Sequence, residues 1–181
     1  SSQSRGLGDV YKRQLHIDAM SPLIKENFID DPLENVELAA SIQNWTFDRT
    51  GNEVSIIANG KHNNYQLSVS LQNNSNGLNV ICGFDLRFNK KNKFQILKLV
   101  SSINAQLWLG HFDVWDKEGL IVYRNSSILE KSPNLKTIET LLNDAVSSID
   151  LYFPAFQYIL WAGKDSEEAL QTVLFETRGE A

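Results

Sequence analysis

The chain has 181 residues, 42% of them hydrophobic, 22% charged and 10% aromatic, with a formal net charge of −5. That length suits one domain built on one core, and the acidic balance argues against a bulk electrostatic role on nucleic acid, although a local basic patch is compatible with it. The single cysteine, Cys82, rules out an intrachain disulfide and fits a reducing compartment, and no apolar run approaches the ~20 residues of a membrane-spanning helix.

Residues 1–14, SSQSRGLGDVYKRQ, lack periodicity and read as a foreign leader. Met20, the one methionine, is the expected translation start, so residues 1–19 are expected to be non-native or disordered and 20–181 to form a single domain. No apolar stretch follows Arg5, Lys12 and Arg13, so these do not open a secretion signal and the cytoplasm is the expected compartment. The Asn-x-Ser/Thr triplets at Asn44, Asn73 and Asn125 are then coincidences of an Asn-rich chain.

Asp31 followed by Pro32 and Leu33 marks a helix start, with a capping carboxylate and then proline at the first helical position, where its missing N–H costs nothing. Glu34 and Glu37 suit the positive end of the helix dipole, and Leu33, Val36, Leu38 and Ala40 give an apolar side as far as about Asn44. A short strand over 45–48 follows, broken by Gly51 and Asn52. Three longer strand-like runs come next. Val54, Ile56 and Ala58 alternate in the first, which ends in the turn pair Asn59-Gly60. Tyr65, Leu67, Val69 and Leu71 alternate in the second, closed by a turn at 73–77, and Leu78, Val80, Cys82, Phe84, Leu86 and Phe88 share one face of the third. Period-two patterning of this kind means a sheet with one buried and one wet face, hence antiparallel pairing.

From Asn92 the period changes. Ile96, Val100, Ile103 and Leu107 repeat at helical spacing beside Phe94, Leu97 and Leu99, and Gly110 is the expected stop. A hairpin over 112–128 turns at 116–119. Ser132 and Pro133 are the expected cap and first residue of the next helix, whose buried stripe is Leu135, Ile138, Leu142, Ala145, Ile149 and Tyr152. Pro154 is expected to interrupt it. A short helical piece to Ala162 stops at Gly163, and Asp165 caps a last helix with Glu168 as its box partner. Helix, three strands, helix, two strands and then helices make an α+β domain with helices packed on an antiparallel sheet.

His111, Asp113, Asp116 and Glu118 are the densest ionisable cluster. A metal or hydrolytic centre needs three or four ligands converging on one point. On a strand, His111, Asp113 and Trp115 share a face, whereas Asp116 and Glu118 fall in a turn that prefers Asp and Gly for backbone reasons alone. No histidine pair stands at i, i+4 with a glutamate, so neither a metal nor a cofactor is expected, and the cluster reads as a wet strand face followed by a turn. Cys82, between Val80 and Phe84, reads as core, because a reactive thiolate needs exposure and a positive neighbour. The G-x-S-x-G, G-x-G-x-x-G and G-x-x-x-x-G-K-[ST] patterns are absent, and no catalytic residue is assigned.

Arg87, Lys90, Lys91, Lys93 and Lys98 form a basic run with no carboxylate between Asp85 and Asp113. Nucleic-acid binding would pair such a run with exposed aromatics, but Phe88 and Phe94 fall on expected core faces. A solvated loop and helix start is the better reading, with an anionic protein partner left open. Trp108, Phe112, Trp115, Tyr152, Phe153, Phe156, Tyr158 and Trp161 exceed what two short segments need for one stripe. A core joining helix to sheet is the plainer explanation and a partner interface the sharper one.

Two stretches, 103–124 (INAQLWLGHFDVWDKEGLIVYR) and 153–170 (FPAFQYILWAGKDSEEAL), resemble the YbjN family, a group of bacterial proteins named as sensory transduction regulators. The likeness runs from about Pro32 to Ala181 and is most specific at 107–113 (LWLGHFD) and Tyr123-Arg124-Asn125. The closing 175–181 (FETRGEA) is similar to an alphaproteobacterial subgroup, and 52–93 matches more loosely. The resemblance implies a fold similar to type III secretion chaperones and, with it, a homodimer; it carries over no catalytic residue. The function expected is a non-enzymatic protein-interaction module, chaperone-like or regulatory. Its partner is expected at Trp108, His111, Phe112, Asp113, Trp115 and Trp161, or on the sheet's polar face or an edge strand by strand addition. The alternatives are a small-ligand binder or hydrolytic enzyme at His111 and Asp113, marked by a deep polar pocket, and nucleic-acid binding through 87–98, marked by salt-dependent retention. No membrane partner is expected.

Overall fold

The computed structural model describes residues 31–72, 77–129 and 134–179. The expectations for residues 1–19, for the turn at 73–76 and for Ser132-Pro133 lie outside them. Leu33–Ala181 make one compact unit. Along it run α1 (Pro32–Ile42), β1 (Thr46–Thr50), β2 (Glu53–Asn59), β3 (Asn64–Gln72) and β4 (Gly77–Arg87), then α2 (Lys93–Asn104), β5 (His111–Trp115), β6 (Leu120–Ile128), α3 (Leu135–Ala162) and α4 (Ser166–Gly179). The class is α+β as expected, but four strands precede the second helix rather than three. The short run after Trp45 is a full strand, paired with β2 from Thr46↔Ile57 to Thr50↔Glu53.

All pairings are antiparallel, in the order β1-β2-β3-β4-β6-β5, so β1 and β5 are the sheet's edges. Alternation sets the two faces. Tyr65, Leu67 and Val69 of β3 and Leu78, Val80, Cys82, Phe84 and Leu86 of β4 are buried, while Gln66, Asp85 and Arg87 between them are exposed. Residues from all four helices join these strands in one core cluster, among them Leu33 and Val36 of α1, Ile96 and Ile103 of α2, Ile149 and Phe156 of α3, and Ala169 and Val173 of α4. Each buried Leu, Ile or Phe there contributes about 1.5–3 kcal/mol. Burial also pushes the Cys82 thiol's pKa up, which keeps it protonated and unreactive. Among the described residues no helix is long and apolar enough to cross a membrane.

Three local expectations are corrected. α2 stops at Asn104, six residues before Gly110. Gly110 instead has φ +66° and allows a close approach, since a Cβ there would stand 2.1 Å from the Tyr123 hydroxyl. The helix expected to open at Ser132 begins, in its described part, at Leu135, with Asn134 as the cap accepting the Lys136 N–H. Pro154 does not interrupt that helix, which runs unbroken from Leu135 to Ala162. A proline leaves the carbonyl four residues earlier without its N–H partner. That carbonyl belongs to Asp150, and it meets His62 Nε2 at 3.1 Å, so a distant turn supplies what the proline withholds. The last helix is capped as expected by Asp165, which accepts the Glu168 N–H at 2.9 Å; the Glu168 side chain pairs with Lys164 instead of closing the box.

Candidate functional site

β5 carries the ionisable cluster on an edge of the sheet. His111, Asp113 and Trp115 alternate onto the open face, and Phe112 points the other way. The Asp113 carboxylate is engaged on several sides. Its Oδ2 takes Arg124 Nη1 and Trp115 Nε1, each at 3.3 Å, and its Oδ1 accepts the Val114 N–H at 2.9 Å. Asp116 pairs with Lys93 at 2.7 Å, and the Glu118 carbonyl accepts from Arg87 at 3.1 Å. Nothing here converges on a point, and among the described residues no three His, Cys, Asp or Glu side chains group to hold a metal ion. Beside Arg124 lies an open depression of about 370 Å³ lined by Gln72, Asn79, Ser126, Ser127 and Ile128.

The edge of β5 is also closed by side chains. Asn104 Oδ1 accepts the Phe112 N–H at 2.8 Å and Asn104 Nδ2 donates to the Phe112 carbonyl at 2.9 Å, reproducing the two bonds that a further strand would make. The next outward N–H, at Val114, is the one that Asp113 takes. The outward backbone groups of Phe112 and the Val114 N–H thus have side-chain partners, one of the ways that natural sheets protect their edges.

The aromatic candidates divide. Phe112 is 1% exposed and packs edge-on against Phe84, Tyr123 and Tyr152, with centroids 5.2–6.0 Å apart, so it belongs to the core and is withdrawn as a contact residue. Tyr152, Phe153 and Phe156 are buried with it. Trp115 is half-buried. Trp108 and Trp161 are open to solvent, at 85% and 72%. These two do not form one patch. The Leu109 carbonyl reaches Tyr123, which reaches Asp144, so Trp108 sits beside that point of α3. Trp161 comes seventeen residues later on the same helix, about 25 Å along it at the usual rise.

Residues not singled out as contacts are exposed too, Ile42, Ile128 and Phe175 among them. Phe94 was expected in the core, yet it is 68% exposed, and Leu97 of the same helix is 43% exposed. α2 buries Ile96, Leu99, Val100 and Ile103, so Phe94 and Leu97 form a second apolar pair on its outer side. Phe88 is buried as expected. The signal was present in the sequence, since six apolar residues in a helix of this length exceed one stripe.

Two polar nodes tie the sheet to α3. At the first, Tyr65 donates to Asp150 Oδ1 at 2.6 Å and the Lys61 N–H donates to the same oxygen at 2.7 Å, while His62 stacks on Phe153 with centroids 5.2 Å apart. Burial, then the bond to Asp150, drives the Tyr65 hydroxyl's pKa far up. Gly60 makes the docking possible, because a Cβ would stand 2.0 Å from the Tyr65 ring. At the second, the Tyr123 hydroxyl faces the Leu109 carbonyl at 3.0 Å and Asp144 Oδ2 at 2.5 Å, and Asn125 Nδ2 donates to that Oδ2 at 2.9 Å. A hydroxyl has one hydrogen to give. Both acceptors are satisfied only when Asp144 carries a proton and donates back. Burial raises the Asp144 pKa in that direction, against the lowering pull of Tyr123 and Asn125.

An antiparallel sheet with helices packed on one face, and no convergent catalytic set among the described residues, defines the class of domain. A family model, YbjN, described as "putative bacterial sensory transduction regulator", matches residues 32–158, and the chain belongs to the YbjN family. It is similar in fold to the crystal structure of E. coli YbjN, which is described as a putative transcription regulator. The TM-score is 0.50 at 11% identity, over 67% of this chain and 87% of that one. At such identity the likeness concerns the fold alone. No curated protein matches the sequence significantly.

Proposed function

We propose that this protein is a non-enzymatic interaction module with a regulatory role, which meets a protein partner through exposed aromatic side chains on the helical side of the molecule. The observation that carries it is the exposure of Trp108, Trp161 and Phe94 in a domain whose Asp113 and Asp116 are already taken by Arg124, Trp115 and Lys93. Large apolar side chains left in water mark surfaces that a partner covers. Membership of a family described as regulators is consistent with this at the level of broad role.

The test is affinity capture with the full chain from a bacterial lysate, with mass spectrometry of what is retained. One or a few stoichiometric proteins are expected, lost when Trp161 or Phe94 is replaced by Ala. Retention of nothing specific contradicts the proposal. The depression beside Arg124 favours a second reading, a small-ligand site. A thermal-shift screen of small anions separates the two: a stabilising ligand that Arg124→Ala abolishes supports the second.

A further inference from the structure

We infer that Asp144 is a protonation latch for the loop that carries Trp108, holding the loop when neutral and releasing it when ionised. The consequence for a partner rests on the interaction proposal above, because Trp108 is one of the exposed aromatics that carry it. The latch itself follows from the geometry. Residues 105–110 (AQLWLG) join α2 to β5, and the Trp108 ring is 85% exposed, so burial of that ring does not fix the loop. The first half of the loop is tied to the helix, the Leu107 N–H donating to the Ile103 carbonyl at 3.2 Å. The second half is tied to β6, where the Leu109 carbonyl accepts from the Tyr123 hydroxyl at 3.0 Å.

The Tyr123 hydroxyl is the shared part. It stands between the Leu109 carbonyl and Asp144 Oδ2, the latter at 2.5 Å, and it has one hydrogen to give. With Asp144 neutral, its O–H donates to the Tyr123 oxygen and the Tyr123 hydrogen goes to Leu109. With Asp144 ionised, the carboxylate draws that hydrogen, because a hydrogen bond to a charged acceptor is the stronger one. The Leu109 carbonyl is then left to water, and residues 108–110 lose this tie to the sheet. Other groups face the pair from each side. Asn125 of β6 donates to Oδ2 at 2.9 Å, Ser148 of α3 hydrogen-bonds with Tyr123, and the Cys82 thiol of β4 acts on Tyr123 from further away. On α3, Asp150 is turned to Tyr65 and the Lys61 N–H at the other node. The loop 105–110 carries no charge, and His111, Asp113 and Arg124 are on the opposite face of the sheet. Burial raises the Asp144 pKa above its ordinary 3.8, so release comes as pH rises through that raised value.

The experiment is fluorine NMR of the full chain, labelled with 5-fluorotryptophan, across a pH series. The chain has four tryptophans, and Trp108→Phe identifies the Trp108 resonance by its loss. That resonance is expected to move and narrow through one inflection above 3.8. Two variants pin the two ends. In Asp144→Asn the amide donates to Tyr123 as the neutral acid does, and the resonance should keep its low-pH position throughout. Asn125 Oδ1, buried and without a partner among the described residues, can turn to accept the second amide hydrogen. In Tyr123→Phe the Leu109 carbonyl loses its donor from β6, and the resonance should keep its high-pH position and width throughout. A far-UV spectrum checks that each variant is folded, and either one alone decides the matter. A Trp108 resonance that does not titrate, or that titrates alike in wild type and in a folded variant, overturns the latch. So does an inflection removed by His111→Ala, which would assign the titration to the neighbouring imidazole. The readout needs no partner: a lysate capture that retains nothing leaves the latch standing, and a flat titration leaves the interaction proposal standing.

Discussion

The open face of the sheet and the α2–α3 junction both meet solvent, yet they are built in opposite ways. On the sheet, polar groups answer one another: Asp113 with Arg124 and Trp115, Ser68 with Glu53, Ser126 with Asn79. Its β5 edge is occupied as well, by Asn104 on the Phe112 backbone. At the junction, Phe94, Leu97 and Trp161 stand in water among lysines and the carboxylates of Asp165, Glu167 and Glu168. The sheet face is mostly polar and internally bonded, with Ile57 and Ile128 left in water, whereas at the junction aromatic side chains lead the exposed set. The sheet face also shows why a dense ionisable cluster is a poor guide to a binding site when carboxylates such as Asp113 and Asp116 are occupied by Arg124 and Lys93.

The sharpest contrast is within the aromatics. Phe112→Ala is expected to cost about 3–5 kcal/mol, because it removes a ring enclosed by Phe84, Tyr123, Tyr152 and Phe156. Trp108→Ala should stay within about 0.5 kcal/mol of wild type. Urea unfolding of both variants measures the gap, and comparable losses would erase the division into core and surface.

Next in size is the closed edge. Asn104→Ala leaves the Phe112 N–H and carbonyl without their partners and should destabilise the domain by about 1–3 kcal/mol. The same variant should self-associate at high concentration, since it opens a strand edge. Sedimentation velocity checks this, and a stable, monomeric variant would show that Asn104 is not what protects β5.

A smaller effect concerns pH. Asp144 holds its proton above its ordinary value of 3.8, so its neutral form is favoured by folding. The associated stability is fully present below that ordinary value and is lost as pH rises through the raised folded one. Relative to Asp144→Asn, which has no proton to lose, wild type should become progressively less stable over that interval. Melting temperatures of the pair in a pH series give the sign directly, and parallel curves would remove the proton from the Tyr123 node. The smallest effect is expected at His111. His111→Ala should leave both stability and partner retention unchanged within about 0.5 kcal/mol, and a large loss of either would return the β5 cluster to the centre of function.

Much of the fold was legible because alternation is a local signal. Tyr65, Leu67 and Val69, and the run from Leu78 to Phe88, face the core in the register their sequence spells. What was not legible depends on distant groups. Pro154 reads as a break until the turn bearing His62, 88 residues away from Asp150, supplies a partner for the exposed carbonyl. Gly110 reads as a helix stop until Tyr123 arrives beside it. Phe94 was misplaced because α2 has apolar residues on two sides, and periodicity alone does not say which side meets the sheet. His111, Asp113 and Trp115 were correctly put on one face, but the Arg124 bond that occupies Asp113 comes from another strand.

The measurement that bears most directly on the interaction module is amide hydrogen exchange of the full chain, alone and with a partner obtained by capture. Protection concentrated in residues 89–104 and 158–166 is the predicted result. Protection confined to β5 and β6, with those helical segments unchanged, would contradict it.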